Sequence, residues 1–246
     1  MSANNKIVFI TLTLAVIVSL FFYERYYVTQ PVLYPDFGIT IPAGYTTHGI
    51  DVSRYQRKIN WDEVVQMRDK GQRISFAFVK CTEGTTIIDP FYKKNWEQLK
   101  EKRLLRGCYL YFHPNKKAKQ QAEFFIKHAD LVTGDLPPVI DIEETHGMNA
   151  QKIQASLKEC IDILEAHYHA KPIIYTGADF YEHHLQQQFD SYPLWVAHYE
   201  QPSAPRIQRD WLIWQHNCKG RVNGIRGEVD FNVVNGNLTL LQSLCL

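Results

Sequence analysis

Eight short apolar or aromatic runs recur along the chain, and stretches of helical periodicity separate several of them. The runs are HGIDVS (48–53), ISFAFVKC (74–81), RGCYLYF (106–112), PPVIDIE (137–143), KPIIYT (171–176), PLWVAHY (193–199), WLIWQH (211–216) and EVDFNVV (228–234). Helical spacing of apolar residues marks Trp61 to Lys70, Tyr92 to Lys102, Ala118 to Ala129 and Ala150 to His167. Apolar strands bounded by Gly and Pro and alternating with helices fit a buried parallel sheet, because both of its faces are covered. Eight strands with helices between the first five predict a parallel (β/α) barrel. The spacing shrinks after residue 190, so the last helices are expected to be short or missing.

The amino terminus is of a different kind. IVFITLTLAVIVSLFFY, residues 7–23, carries no charge, with Lys6 before it and Glu24 and Arg25 after it. At about 17 residues it is at the short end of the range for a membrane-spanning helix, and no small-x-small cleavage site follows it. This predicts an uncleaved signal-anchor over 1–30, then a linker over 31–46 and a catalytic-type barrel domain over 47–246. With Lys6 retained inside, the barrel domain is expected outside the membrane, periplasmic or at the cell surface, or secreted if the segment is cleaved.

Bulk composition narrows the function classes. The formal net charge is +1 over 246 residues, so no concentrated basic surface points to nucleic acid. Five cysteines occur without a C-x-x-C, and Cys81, Cys108 and Cys160 fall in apolar runs, where buried thiols are expected. The histidines show no H-E-x-x-H spacing, and His183 and His184 are consecutive, which is poor chelating geometry on a helix. Neither a metal nor a cofactor is expected, and the domain is expected to be a monomer.

The segment PVIDIEE, 138–144, places carboxylates at the end of an apolar strand. Side chains two apart on a strand share a face, so Asp141 and Glu143 point the same way while Ile142 packs on the other side. A parallel barrel puts its active site at the carboxyl ends of its strands. Those ends carry Asp51, Glu83, Tyr109, Tyr111, Asp141, Glu143, Tyr175, Trp195, His198, Gln215 and Asp230. Acids and aromatics gathered at one rim suit a carbohydrate cleft, where rings stack on sugars and paired acids act on the glycosidic bond.

The ordered set HGIDVSRYQ, FAFVKCTEG, RGCYLYFHP, PPVIDIEE, PIIYT, LWVAHY, WLIWQH and GEVDFNVV, from about Thr47 to about Asn235, resembles glycoside hydrolase family 25, the lysozyme-type N-acetylmuramidases. The resemblance implies a modified (β/α) barrel with fewer helices than strands. It also implies hydrolysis of the β-1,4 bond between N-acetylmuramic acid and N-acetylglucosamine in the glycan strands of peptidoglycan. Matched residue by residue, the family's D-x-E falls on Asp141 and Glu143, with Glu143 as general acid. Its first-strand and last-strand acids fall on Asp51 and Asp230, and its cleft positions on Tyr109, Tyr111, Tyr175, Trp195 and Gln215. Leu110 stands where many members carry His, and His113 lies near a position where many carry Arg.

Two other functions fit parts of the pattern. A chitinase-like barrel also ends a strand in D-x-E, but its fuller acidic series needs acids where this chain has Val139 and Leu136. A non-catalytic sugar-binding module would keep the barrel and lose the acids, and all four are present.

Overall fold

The structure is a computed structural model that describes residues 10, 12–19 and 30–246. Its centre is a closed barrel of eight strands: β3 (His48–Val52), β4 (Ile74–Glu83), β6 (Leu105–Tyr111), β7 (Val139–Asp141), β8 (Ile173–Gly177), β9 (Leu194–Ala197), β10 (Ile213–Gly220) and β11 (Val229–Val234). Two short strands, β1 (Val32–Tyr34) and β2 (Ile39–Ile41), precede it, and β5 (Ile87–Ile88) folds back on the end of β4. All eight apolar runs become barrel strands. The expected helices appear as α1 (Trp61–Gln66), α2 (Tyr92–Glu101), α3 (Ala118–His128) and α4 (Ala150–Tyr168), and a five-residue α5 (Leu238–Gln242) follows the last strand. No helix separates β9 from β10 or β10 from β11, as the tightening spacing predicted.

The expectation of an all-parallel barrel is corrected at its last strand. From β3 round through β4, β6, β7, β8 and β9 to β10 the pairings are parallel, but β11 runs antiparallel to both β10 and β3. The chain returns from β10 through residues 221–228 without a helix, and so short a return cannot carry it back to the start of the sheet for a parallel pairing.

Two further expectations change at the amino terminus. Residues 31–46, read as a linker, contain the β1–β2 hairpin; Phe37, Ile39 and Ile41 are buried in the main core and Phe37 lies 5.1 Å from the ring of Phe231. Asp69 Oδ2 accepts hydrogen bonds from the backbone N–H groups of Asp36 and Phe37, which pins the turn. The apolar segment 7–23 lies partly outside the described residues. Within it Ile10 and residues 12–19 are helical and exposed. Among the described residues no helix is long and apolar enough to cross a membrane, so the spanning helix expected there is not supported.

Local sequence explains the supporting helices. Asn60 caps α1 by accepting from the Asp62 N–H, and Asn149 caps α4 by accepting from the Lys152 N–H. On α4 the buried residues Ile153, Leu157, Cys160, Ile161 and Leu164 recur at three- and four-residue steps, which turns one stripe of the helix onto the barrel. The apolar residues between barrel and helices form the larger core, and a second cluster fills the barrel itself, where Phe76, Phe78, Tyr109, Val139, Ile173, Tyr175 and Trp195 meet. Two glycines make that filling possible: a Cβ at Gly49 would lie 2.4 Å from the Phe76 ring, and one at Gly107 would lie 2.3 Å from Phe78. Leu241 of α5 belongs to the same cluster and closes the lower end. The interior is therefore packed below and open above.

Candidate active site

Strand register brings the polar residues together. Asp230 of β11 pairs with Asp51 of β3, Lys80 of β4 with Tyr109 of β6, Tyr111 with Asp141 of β7, Asp141 with Tyr175 of β8, and Tyr175 with Trp195 of β9. Side chains alternate along each strand, so once one inward position is set its neighbours on adjacent strands follow. The result is a cavity of about 230 Å³ at the upper end of the barrel. Every acid and cleft residue matched in the sequence lines it: Asp51, Asp141, Glu143 and Asp230 with Tyr109, Tyr111, Tyr175, Trp195 and Gln215. A larger hollow of about 460 Å³ lies at the opposite end of the barrel, but its lining includes only one acid, Asp135, which is already paired to Arg106.

Asp51 is the centre of a hydrogen-bond network. Its Oδ2 accepts from Gln215 Nε2 at 2.9 Å and from Asn232 Nδ2 at 2.8 Å. Gln215 Oε1 in turn accepts from the hydroxyls of Tyr175 at 2.9 Å and Tyr199 at 2.5 Å, while Asn232 Oδ1 accepts from Trp195 Nε1 at 2.7 Å. Trp195 is only 1% exposed and stacks on Phe78 at 4.6 Å, so it forms the cavity floor and holds the network rather than presenting an open face. Tyr55, 73% exposed at the mouth, does present one.

Asp141 and Glu143 form the second centre. β7 ends at Asp141, which is buried, while Glu143 lies two residues beyond the strand and is exposed. Burial first, then the adjacent Glu143, pushes the Asp141 carboxyl well above the usual range, and its buried Oδ1 has no hydrogen-bond partner. Glu143 is also raised, by the protein mass standing around its carboxylate, although its hydrogen bond with Asp141 pulls it back. Both carboxyls are thus biased toward the protonated form relative to isolated ones. Across the cavity, burial raises Asp51 to about 7 against the pull of Asn232 and Gln215, and burial together with Asp51 raises Asp230 to about 8. The hydroxyls of Tyr109 and Tyr175 are pushed well up by burial and by these carboxylates, which keeps both as hydrogen-bond donors.

Sequence reading overlooked four residues of the lining: Ser53, Tyr55, Lys80 and Tyr199. Lys80 matters most. It is 8% exposed, its Nζ lies 2.6 Å from Glu83 Oε2 and 4.6 Å from the centre of the Tyr111 ring, and it pulls the Asp141 and Glu143 carboxyls down. A lysine inside the apolar run ISFAFVKC was the available signal, since a charged residue in a buried strand needs a partner. Of the other strand-end residues, Glu83 serves as that partner, and His198 accepts the Arg206 N–H away from the cavity. Among the described residues no group of His, Cys, Asp and Glu is arranged to hold a metal ion.

The model of the family described as "Glycosyl hydrolases family 25" matches residues 50–225. The YegX protein of Escherichia coli (strain K12) is 44% identical over 221 residues, 90% of this chain and 80% of that protein. Lysozyme M1 of Streptomyces globisporus is 30% identical over 211 residues, 80% of this chain and 70% of the other. Among solved structures, a family 25 glycosyl hydrolase from Bacillus anthracis superposes with a TM-score of 0.74 at 28% identity, covering 82% of this chain and 94% of that one. A bacterial lysozyme from Streptomyces coelicolor gives a TM-score of 0.73 at 29% identity, covering 82% and 98%.

Proposed function

The chain belongs to glycosyl hydrolase family 25, and from that premise we propose that it is a muramidase, cleaving the β-1,4 bond between N-acetylmuramic acid and N-acetylglucosamine in peptidoglycan. The observation that carries the reading is the Asp141–Glu143 pair at the open end of a barrel, in one cavity with two further acids and several tyrosines.

Breaking a glycosidic bond requires a proton for the leaving oxygen and a counter-charge or nucleophile for the developing oxocarbenium ion. Glu143 is the longer and more exposed of the pair, so it reaches the glycosidic oxygen and delivers its proton. Asp141 and Glu143 lie two residues apart at one strand end, so Asp141 is on the same side of the cavity as the acid and not across the sugar from it, where a nucleophilic or water-activating second acid would stand. Asp141 therefore acts beside the acid: its carboxylate orients the substrate's own N-acetyl group, whose oxygen attacks the anomeric carbon as the protonated leaving oxygen departs, and water then opens the ring so formed and returns a proton to Glu143. Asp51 and Asp230 hold the opposite wall. Tyr55, Tyr111 and Tyr199 offer ring faces and hydroxyls to the glycan, and Lys80 keeps the acid cluster from excess negative charge.

The four acids in one cavity weigh against a purely sugar-binding module, which has no need to hold carboxyls at raised pKa. Peptidoglycan is an extracytoplasmic polymer, and the uncharged run after Lys6 supports delivery of the catalytic domain across the membrane, with the run as its anchor. Digestion of purified peptidoglycan tests the function: new reducing ends on muramic acid are expected, and reducing ends on glucosamine, or none, would overturn it.

A further inference from the structure

Beside the cavity, but outside its lining, lies a histidine pair that the chemistry above does not use. His113 follows the end of β6, and His146 sits in the loop 142–149 that carries Glu143 from β7 to α4. His113 Nδ1 and His146 Nε2 are 2.9 Å apart. Among the described residues it is the shorter of two side-chain hydrogen bonds that join the loop to β6 and the residues after it; the other, from the Tyr111 hydroxyl to Glu144 Oε1, is 3.3 Å.

The two partners differ in how firmly they are held. The backbone of His113 is gripped on both sides by the fully buried Gln121 of α3, which accepts from the His113 N–H and donates to the His113 carbonyl, each at 2.9 Å. The loop, by contrast, leaves the sheet after the Ile142 N–H bonds to the Tyr175 carbonyl, turns at Thr145, and returns to the core at Met148. His146 and Gly147 both adopt positive φ, 45° and 77°. That left-handed backbone is uncommon for any residue but glycine, although histidine tolerates it better than most, and it persists where surrounding contacts fix it.

We propose that His113 and His146 are positioning residues for hydrolysis, holding the loop so that Glu143 stays in contact with Asp141 and the cavity. The proposal rests on the muramidase reading only for its kinetic arm. The contact has a built-in proton limit. Two neutral rings share one N–H between the facing nitrogens. One added proton keeps a single N–H in the contact and leaves a cation between Glu83, whose Oε1 is 3.7 Å from His113 Nε2, and Glu144, whose Oε2 is 3.6 Å from His146 Nε2. A second proton puts N–H on both facing nitrogens, and the contact breaks. The groups around the pair are Glu83 and Lys80 on β4, Lys116 after β6, Glu144 on the loop and the edge of Tyr111. Burial, Lys116 and His146 lower His113. Protonation of His113 thus belongs to the acid side of neutrality.

The test compares His146→Ala and His146→Gln with wild type on solubilised peptidoglycan across about pH 4 to 8. Glutamine places a hydrogen-bonding amide near the position of Nε2 but does not titrate in this range. His146→Ala is expected to lose about tenfold in kcat near neutral pH with KM almost unchanged, as for a misplaced acid. His146→Gln should recover most of that loss and decline less than wild type on the acid side. Wild-type kcat in His146→Ala at every pH, or equal impairment in both variants, would overturn the proposal. Imidazole ¹⁵N NMR decides the pairing independently of turnover: the His113 midpoint should shift when His146 becomes Gln, and an unchanged midpoint would refute the contact. If the wild-type protein left peptidoglycan intact while the midpoint shifted, the muramidase reading would fall and the histidine pair would stand.

Discussion

Asn232 joins Asp51 to Trp195: its amide donates to Asp51 Oδ2 at 2.8 Å and accepts from Trp195 Nε1 at 2.7 Å, and the asparagine itself is fully buried. One side chain therefore satisfies a carboxylate on β3 and an indole on β9 from a position on β11. Replacing it with alanine strands the Trp195 N–H and leaves Asp51 Oδ2 with Gln215 alone, and an unmet buried group costs about 1–3 kcal/mol. Asn232→Ala is expected to lower unfolding free energy in urea by at least about 1 kcal/mol. A loss within error of zero would show that the bridge contributes nothing to the folded state.

The raised carboxyls predict a pH dependence of stability with a definite sign. Burial first, and then Asp51, raises the Asp230 carboxyl to about 8 in the folded protein from its ordinary 3.8. Between those values the native state binds more protons than the unfolded chain, so the contribution of Asp230 is fully present below 3.8 and is lost as pH rises through about 8. Asp230→Asn removes that dependence. Its Tm should exceed that of wild type by about 2–4 °C at about pH 8 and converge with it near pH 4. A variant less stable than wild type at pH 8 would mean that Asp230 is stabilising as a charge.

The amino-terminal hairpin makes a prediction about domain limits. A chain beginning at residue 30 keeps Phe37, Ile39 and Ile41 in the core, whereas one beginning at residue 47 loses all three. Removing a buried phenylalanine alone costs about 3–5 kcal/mol. The longer form should unfold cooperatively, and the shorter should be destabilised by at least that amount or fail to accumulate as folded protein. Equal Tm values would place the hairpin outside the folding unit.

Much of this was legible in the chain. The eight strands announced themselves by apolar runs between turn residues, and inward alternation along HGIDVS and PPVIDIE put Asp51 and Asp141 at the correct end of the barrel. Strand direction was not legible, because alternation reads the same both ways; the reversal of β11 depends on the missing helix before it. The hairpin was obscured by strands of three residues, too short for a periodic signal. Lys80 escaped notice because its neighbours made the run look uniformly apolar. The His113–His146 contact joins two loop residues 33 positions apart, and no local pattern encodes it.

The central claim is that Glu143, beside Asp141 in the cavity, is the general acid of a muramidase. The most direct measurement is kcat of Glu143→Gln on peptidoglycan, with the amount of folded protein fixed by its unfolding curve. The account predicts a loss of at least about 10²-fold with glycan binding largely kept, since removing a general acid leaves the cleft intact. Turnover near that of wild type would contradict it.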